Sequence, residues 1–512
     1  MSGPPSSPGG LMPLVERAQG FADRDAVVGR DGSFHTYDDL LERSAALAAA
    51  LQARLGQPNL QGARVGVLCR PGQDYVAAQW AVWRSGGCFV PLCVTHPQAE
   101  LEYVINDCGI DLVIADGDFM ETVQKLPVTA LPVQEQADGF SAAAWREEMP
   151  AMIVYTSGTT GRPKGVVTRH SALHAQVTDQ YSAWGWTQGD RLLNCLPLHH
   201  VHGIVNCTVT PHYAGACVEF MAPDPERIWQ RFRMGPIVGG ALTLFMAVPT
   251  IYSRLISAYD QMSDKDRQTA TLGARDLRLM VSGSAALPTT VMQRWKEITG
   301  HTLLERYGMT EFAMGLTNPL RPVEDRLPGY VGSPMPSVEV KLVDEATGHR
   351  LDPNSGESGQ LFVRGPVVFQ EYWNKPEATA KEFDAEGWFK TGDVAAYDPE
   401  KKSYRILGRA SADIIKSGGY KISALEIERV ALEHPHVAEI AVLGIQDEEF
   451  GERVAAVLVP KAGAEFDEAD FKTWAKDRLA KYKIPRVYKV VDSIPKNAMG
   501  KVSKADLRKT MF

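Results

Sequence analysis

The sequence predicts an α/β protein with a large N-terminal domain of layered α/β subdomains plus a β-rich subdomain, followed by a small mobile α+β C-terminal domain. Three observations carry this prediction. Short apolar runs alternate with helix-spaced segments through much of the chain, strand-like runs crowd together after about residue 320, and a separate α+β pattern of about one hundred residues follows Arg409. With 512 residues the chain is well beyond the size at which a single core stops growing.

Taken in order, residues 1–13 open with MSGPPSSPGG, a Pro/Gly/Ser-rich stretch without early positive charge, and are expected to be a disordered tail. In residues 14–408, Arg64–Cys69 reads as a strand, Asp74–Arg84 as a helix, Cys88–Leu92 as a strand, Glu100–Cys108 as a helix and Leu112–Ala115 as a strand. This rhythm of strand and helix calls for a parallel sheet. Val338–Val343, Gly359–Val363 and Tyr404–Leu407, separated by Gly/Pro/Asp turns, mark the β-rich subdomain. Residues 409–512 then offer a helix at Ala424–Glu433, strands at Ile440–Gly444 and Arg453–Pro460, and a helix at Asp467–Lys481. The domain boundary is expected at Arg409–Ala412.

Composition narrows the function classes. A hydrophobic content of 44% with 23% charged residues is that of a soluble globular chain, and a net charge of −8 gives no basic footprint for nucleic acid. Seven cysteines without a C-x-x-C pair suit a reducing compartment. No apolar stretch approaches the ~18 residues needed to span a bilayer. A cytoplasmic address without membrane attachment is the expectation, a removed organelle leader being the alternative.

Five stretches carry chemistry. "TSGTTGRPKG", from Thr156, gathers three glycines, four hydroxyls and Lys164 directly behind the apolar run Ala151–Val154. Glycine lets backbone N–H groups approach an anion, and hydroxyls with a lysine complete a phosphate cradle. The spacing differs from the P-loop, because Gly161 is followed by Arg162-Pro163-Lys164. "ERYGMTE" ends in Glu311, a ligand type for Mg²⁺, with Tyr307 offering a ring face to a nucleobase. "WFKTGD" ends in Asp393, able to accept from two ribose hydroxyls. "GRASADIIKSGGYKI" places Arg409 at the boundary and Gly418-Gly419 in a tight turn, and "PKNAMGKVSK" exposes Lys501 after a glycine.

In this order and spacing the five stretches resemble the adenylate-forming superfamily of acyl-CoA synthetases, luciferases and peptide-synthetase adenylation domains, from about Leu14 onward. The resemblance implies an ATP-binding set: Thr156, Ser157, Gly158, Thr159, Thr160, Gly161 and Lys164 on the phosphates; Gly283, Ser284 and Ala285 of "VSGSAAL" lining the adenine and acyl pockets; Tyr307, Gly308, Met309 and Thr310; and Asp393 with Arg409 at the ribose. It implies Glu311 as the Mg²⁺ ligand, Lys501 as the lysine serving adenylation, and Gly418 and Gly419 in the loop that meets CoA. One departure stands at the pivot, where "RASAD" is a residue longer than the common form and leaves Ser411 or Ala412 as the hinge.

The acyl pocket is expected around "LPLHHVHGIV". There His200 matches the family's gating histidine, and the cluster of His199, His200 and His202 reads either as a metal site or as polar packing. "VPTIYSRL" resembles the malonyl-CoA synthetases, which implies that Arg254 grips the distal carboxylate of malonate, with Ser282 as a second contact. The expected function is AMP-forming ligation of malonate, and secondarily methylmalonate, to CoA, with ATP and Mg²⁺, by a monomer or weak homodimer. Ligation of acetate or a fatty acid, carrier-protein loading, luciferase-type oxidation, and nucleotide binding without catalysis are the alternatives.

Overall fold

The computed structural model describes residues 10–156, 162–234, 240–417, 420–496 and 502–512. The expected disordered tail therefore lies largely outside the described residues. Among the described residues the strands form four sheets, three in the large N-terminal part and one in the smaller C-terminal part. None of the described helices is long and apolar enough to cross a membrane.

A nine-stranded sheet has a parallel centre in which Arg191–Asn194, Leu244–Ala247, Leu279–Ser282 and Leu304–Tyr307 lie side by side. Sequences such as Leu-Phe-Met-Ala are apolar throughout because both faces of these strands are covered. The helix Pro249–Asp260 packs there through Tyr252, whose ring meets Trp295 at 4.9 Å and Phe245 at 5.7 Å. The Tyr252 hydroxyl donates to Val281 O at 2.9 Å, so the helix is pinned to the neighbouring strand as well as packed on it.

A seven-stranded sheet contains the predicted strands as Arg64–Leu68, Cys88–Pro91 and Leu112–Ala115, all parallel, with the helices Gln73–Arg84 and Gln98–Cys108 between them. Pro150–Thr156 runs parallel to Cys88–Pro91 and pairs antiparallel with Lys164–Arg169, on which the short strand Glu371–Tyr372 lies. The β-rich region after residue 320 forms a four-stranded antiparallel sheet of Glu339–Val343, Ser358–Arg364, Phe389–Asp398 and Ser403–Arg409.

The C-terminal sheet pairs Val437–Asp447 with Gly451–Pro460 and adds Ile414–Ser417, Tyr420–Ser423 and Val487–Val490. Ile415, Ile422, Ile427, Val442 and Phe471 make its core. One predicted element is shorter than expected: the helix read as Asp467–Lys481 is Glu468–Ala475. Leu479 turns back into the core, bonding its N–H to Ala475 O, and the chain then feeds Val487–Val490 past Pro485.

Between the four-stranded and C-terminal sheets the chain makes one tight turn. Gly408 has φ +125°, and a Cβ there would lie 2.4 Å from Asp413 Cβ, so only glycine admits the approach. Asp413 accepts from Arg409 N at 3.0 Å through its carboxylate and donates its own N–H to Arg409 O at 2.8 Å. Lys504, at the start of the last helix, reaches both Asp413 (2.6 Å) and Glu428 (2.7 Å). Burial alone would depress the Lys504 ammonium, yet the two carboxylates hold its pKa above the usual lysine value.

Lys504→Ala would leave two carboxylates facing each other in a largely buried site. It is expected to cost about 3–5 kcal/mol in denaturant unfolding. A loss below about 1 kcal/mol would show that the three groups do not act as a buried unit.

Candidate active site

The residues singled out in the large part of the chain cluster because parallel strands end at one edge. Leu279–Ser282 runs into Gly283, Ser284 and Ala285, and Leu304–Tyr307 into Gly308, Met309, Thr310 and Glu311. Leu244–Ala247 leads into the helix that carries Arg254, and Arg191–Asn194 into the loop with His199 and His200. In open α/β sheets this carboxyl edge is where ligands bind.

Asp393 joins two sheets. It lies opposite Arg409 in the antiparallel register, and Arg409 Nε meets its Oδ1 at 3.0 Å. Tyr307, from the nine-stranded sheet, donates its hydroxyl to Oδ2 at 2.5 Å. Burial first, and the Asp393 charge second, push the Tyr307 phenol far above its ordinary pKa, so it stays a donor. For Arg409, burial works against the charge, but Asp393, Tyr307 and Glu311 raise its pKa above the usual arginine value. Arg409 Nη1 also donates to Thr391 O at 2.7 Å, and Nη2 lies 4.0 Å from Met309 Sδ.

Glu311 is buried, and Tyr372 donates its hydroxyl to Oε1 at 2.9 Å. Lys164 Nζ lies 4.4 Å from the centre of the same tyrosine ring, because Lys164–Arg169 and Glu371–Tyr372 are neighbouring strands. Burial raises the Glu311 carboxyl pKa, and the Tyr372 hydrogen bond only partly offsets it. A cation beside this carboxylate would favour its charged form. Gly308 makes the local bend feasible, since a Cβ there would fall 1.9 Å from Ala313 O. Thr156 faces Lys164 across the hairpin. Ser157, Gly158, Thr159, Thr160, Gly161, Gly418, Gly419 and Lys501 lie outside the described residues.

Around the expected acyl pocket the three histidines separate. His202 is buried, opens a π-helical segment at His202–Val209, and its Nδ1 meets Ser284 Oγ at 3.2 Å. Ser284 has φ +69°, a strained value for a serine. His199 and His200 remain half-exposed, their rings 4.1 Å apart. His199 instead joins Cys93 and His96, with their ligating atoms all within 4.8 Å of one another. Burial would raise the Cys93 thiol, but hydrogen bonds from His199 and His96 bring it down to about 5. Ser282 Oγ is buried and has no hydrogen-bond partner among the described residues. Arg254 is exposed and makes no ion pair or hydrogen bond among the described residues.

Two residues were missed by the sequence reading. Tyr372 shares no motif with Glu311, from which it stands 61 positions away. Arg306 sits inside "ERYGMTE" but draws less notice than Tyr307 and Glu311. It is buried beside Ser284, with Nη2 3.4 Å from Ser284 Oγ, and burial lowers its pKa to about 10.

A carboxylate on an inner strand of the four-stranded sheet, a buried acid after a glycine bend, and a lysine on the strand beside Tyr372 are linked through Arg409 and the Tyr372 ring. The AMP-binding enzyme family matches residues 14–373, and the AMP-binding enzyme C-terminal domain matches residues 426–501. The chain belongs to the AMP-binding enzyme family.

This AMP-binding enzyme is 43% identical to the mitochondrial malonate–CoA ligase ACSF3 of Mus musculus, over 98% of its own length and 91% of that protein's. It is similar in structure to ATP-bound MatB from Rhodopseudomonas palustris (TM-score 0.86, 32% identity, 98% and 99% of the two chains). It also resembles a malonyl-CoA ligase in a ternary product complex with methylmalonyl-CoA and AMP (TM-score 0.67, 35% identity, 95% and 100% of the chains). The chain is an AMP-forming CoA ligase.

Glu305, two residues before Tyr307, supplies a pH test of the packing under the site. Its carboxyl is buried, accepts from Leu287 N at 3.1 Å, and is raised by burial to about 7 from 4.5. Between these values the unfolded chain holds fewer protons than the folded one, so this group's contribution makes stability fall as pH rises. Glu305→Gln keeps the acceptor and removes the titration. Its stability relative to wild type is expected to rise by on the order of 3 kcal/mol at most between about pH 5 and about pH 8. A pH-independent difference in unfolding free energy would refute this assignment.

Proposed function

We propose that the chain is a malonate–CoA ligase, joining malonate to CoA through an acyl-adenylate and releasing AMP and pyrophosphate, with methylmalonate as a secondary substrate. A carboxylate resists attack by a thiol because the departing oxygen would be an oxide. Transfer to the α-phosphate of ATP makes that oxygen part of AMP, a competent leaving group. The malonate carboxylate attacks the α-phosphorus and pyrophosphate leaves; the CoA thiolate then attacks the acyl carbon and AMP leaves.

The family resemblance supports the roles that follow, and for the described residues the geometry supports them too. Asp393 accepts the ribose hydroxyls through a carboxylate that Tyr307 and Arg409 hold in place. The Tyr307 ring, held through its hydroxyl, presents a face to adenine, with Gly308, Met309 and Thr310 leading on to Glu311. Lys164, with Thr156 and residues 157–161, binds the β- and γ-phosphates. Glu311 is the residue that would hold Mg²⁺, a hard cation that needs only one or two protein carboxylates beside nucleotide phosphates and supplies charge neutralisation there. Lys501 serves the α-phosphate, and Gly418 with Gly419 meets the pantetheine arm. Residues 14–408 and 409–512 act as two domains, turning at Ser411 or Ala412 between adenylation and thioester formation.

What supports malonate over a monoacid is Arg254, together with the names of the relatives. A guanidinium with no ion-pair partner among the described residues, on the helix that follows Leu244–Ala247, suits a distal carboxylate bound bidentately. Ser282 and His200 complete the acid pocket in this reading, and one extra methyl on the acid perturbs it little. A cytoplasmic address and a monomeric or weakly dimeric state belong to the same proposal. Mitochondrial enrichment on cell fractionation would correct the first.

CoA-dependent AMP release with malonate, methylmalonate, acetate, succinate and octanoate tests the reading directly. Malonate is expected to lead. In Arg254→Ala, kcat/KM for malonate is expected to fall by about 100-fold or more, as for a lost charged hydrogen-bond pair, with little change for acetate. Preference for acetate or octanoate, indifferent to Arg254→Ala, would overturn the malonate assignment while leaving the ligase intact.

A further inference from the structure

The turn that follows Cys88–Pro91 has no role in the chemistry above, yet it assembles metal-ligand groups. Cys93 is buried, and His96 N donates to Cys93 O at 3.1 Å, closing a turn that carries both side chains. His199 arrives from the other sheet, on the loop after Arg191–Asn194, its ring 5.7 Å from that of His96. The Cys93 sulfur and the nearest nitrogens of both histidines all lie within 4.8 Å of one another.

We propose that Cys93, His96 and His199 form a zinc site that ties the seven-stranded sheet to the nine-stranded sheet beside His200. One thiolate and two imidazoles are the donors that select zinc over magnesium or calcium, which separates this site from the carboxylate of Glu311. Ligands of one tetrahedral zinc, at about 2.0–2.3 Å from the metal, stand roughly 3.3–3.6 Å from each other. The three donor atoms therefore need to close by little more than about 1 Å, within reach of side-chain rotation. Three protein ligands leave a fourth position for water.

A second feature matches what zinc-binding histidines have around them. His96 Nδ1 is 3.3 Å from the Glu100 carboxylate, one helical turn on, which leaves Nε2 as the ligand atom. A ligating histidine typically gives its other ring N–H to a carboxylate in this way, fixing ring and tautomer. His96 is only partly buried, so an ion has a way in. Clustering alone also fits a thiol hydrogen-bonded to two histidines with no metal, and the experiment is chosen to separate these.

The full-length reduced protein is titrated with Co²⁺ and with Zn²⁺ against a chromophoric chelator, and its Tm is read with each. One ion per chain is expected, with a thiolate-to-cobalt charge-transfer band and a Zn²⁺-dependent rise in Tm. Cys93→Ser is expected to lose the band and the stoichiometric binding. His96→Gln, at a less buried position, is expected to lose the Tm rise while remaining folded by circular dichroism. Glu100→Gln is expected to weaken binding by about 10-fold. Six other cysteines are present, so a band that survives Cys93→Ser would overturn the proposal. So would Zn²⁺ binding unchanged in His96→Gln, or Cys93 alkylation equally fast with and without Zn²⁺.

Discussion

Asp393 receives a tyrosine hydroxyl from one sheet and a guanidinium from the end of another, in a place with little water to share the charge. Most of the proposed nucleotide site depends on this contact. It sets the plane of the Tyr307 ring, holds Arg409 against Thr391 O, and places the last residue before the inter-sheet turn. Removing either partner would leave a buried carboxylate short of compensation, a larger penalty than the net worth of the bonds themselves. The same residue thus connects where ribose is proposed to bind with where the chain is proposed to pivot.

The parallel centre of the nine-stranded sheet explains why distant motifs meet. Each strand is only four residues long, so the chain leaves the sheet soon after it enters, and the segment just after each carboxyl end carries polar side chains out of the core. Those segments necessarily share an edge. His200, Arg254, Ser284 and Glu311 come from four such segments spread over more than a hundred positions. The seven-stranded sheet repeats the arrangement on a smaller scale, with Cys93 after one strand and Thr156 at the end of its parallel neighbour.

Burial of ionisable groups around this edge is what gives the cluster chemical leverage. Glu311 and Arg306 are shifted in the direction that burial demands, Glu311 accepting from Tyr372 and Arg306 lying against Ser284. In a site of low dielectric, an added phosphate or cation interacts with them far more strongly than it would in water. Lys504 shows the opposite case in the C-terminal part, where two carboxylates overcome the burial cost and the group serves packing.

Read alone, the sequence determined the class of fold, the strand–helix order from Arg64 to Ala115, the β-rich stretch after residue 320 and the family. These are local: apolar periodicity sets an element's type, and glycine-bounded motifs such as "ERYGMTE" and "WFKTGD" need particular residues at particular spacings. It misjudged the helix after Asp467, because what stops that helix is Leu479 turning into a core formed by other elements. Only the tertiary structure decided the partners. Tyr372 on Glu311 and His199 carried to Cys93 and His96 are contacts between segments of different sheets, and His202 turned to Ser284 joins segments that follow two strands of one sheet. No spacing along the chain encodes such distances, because they are set by sheet order and by which faces the helices cover.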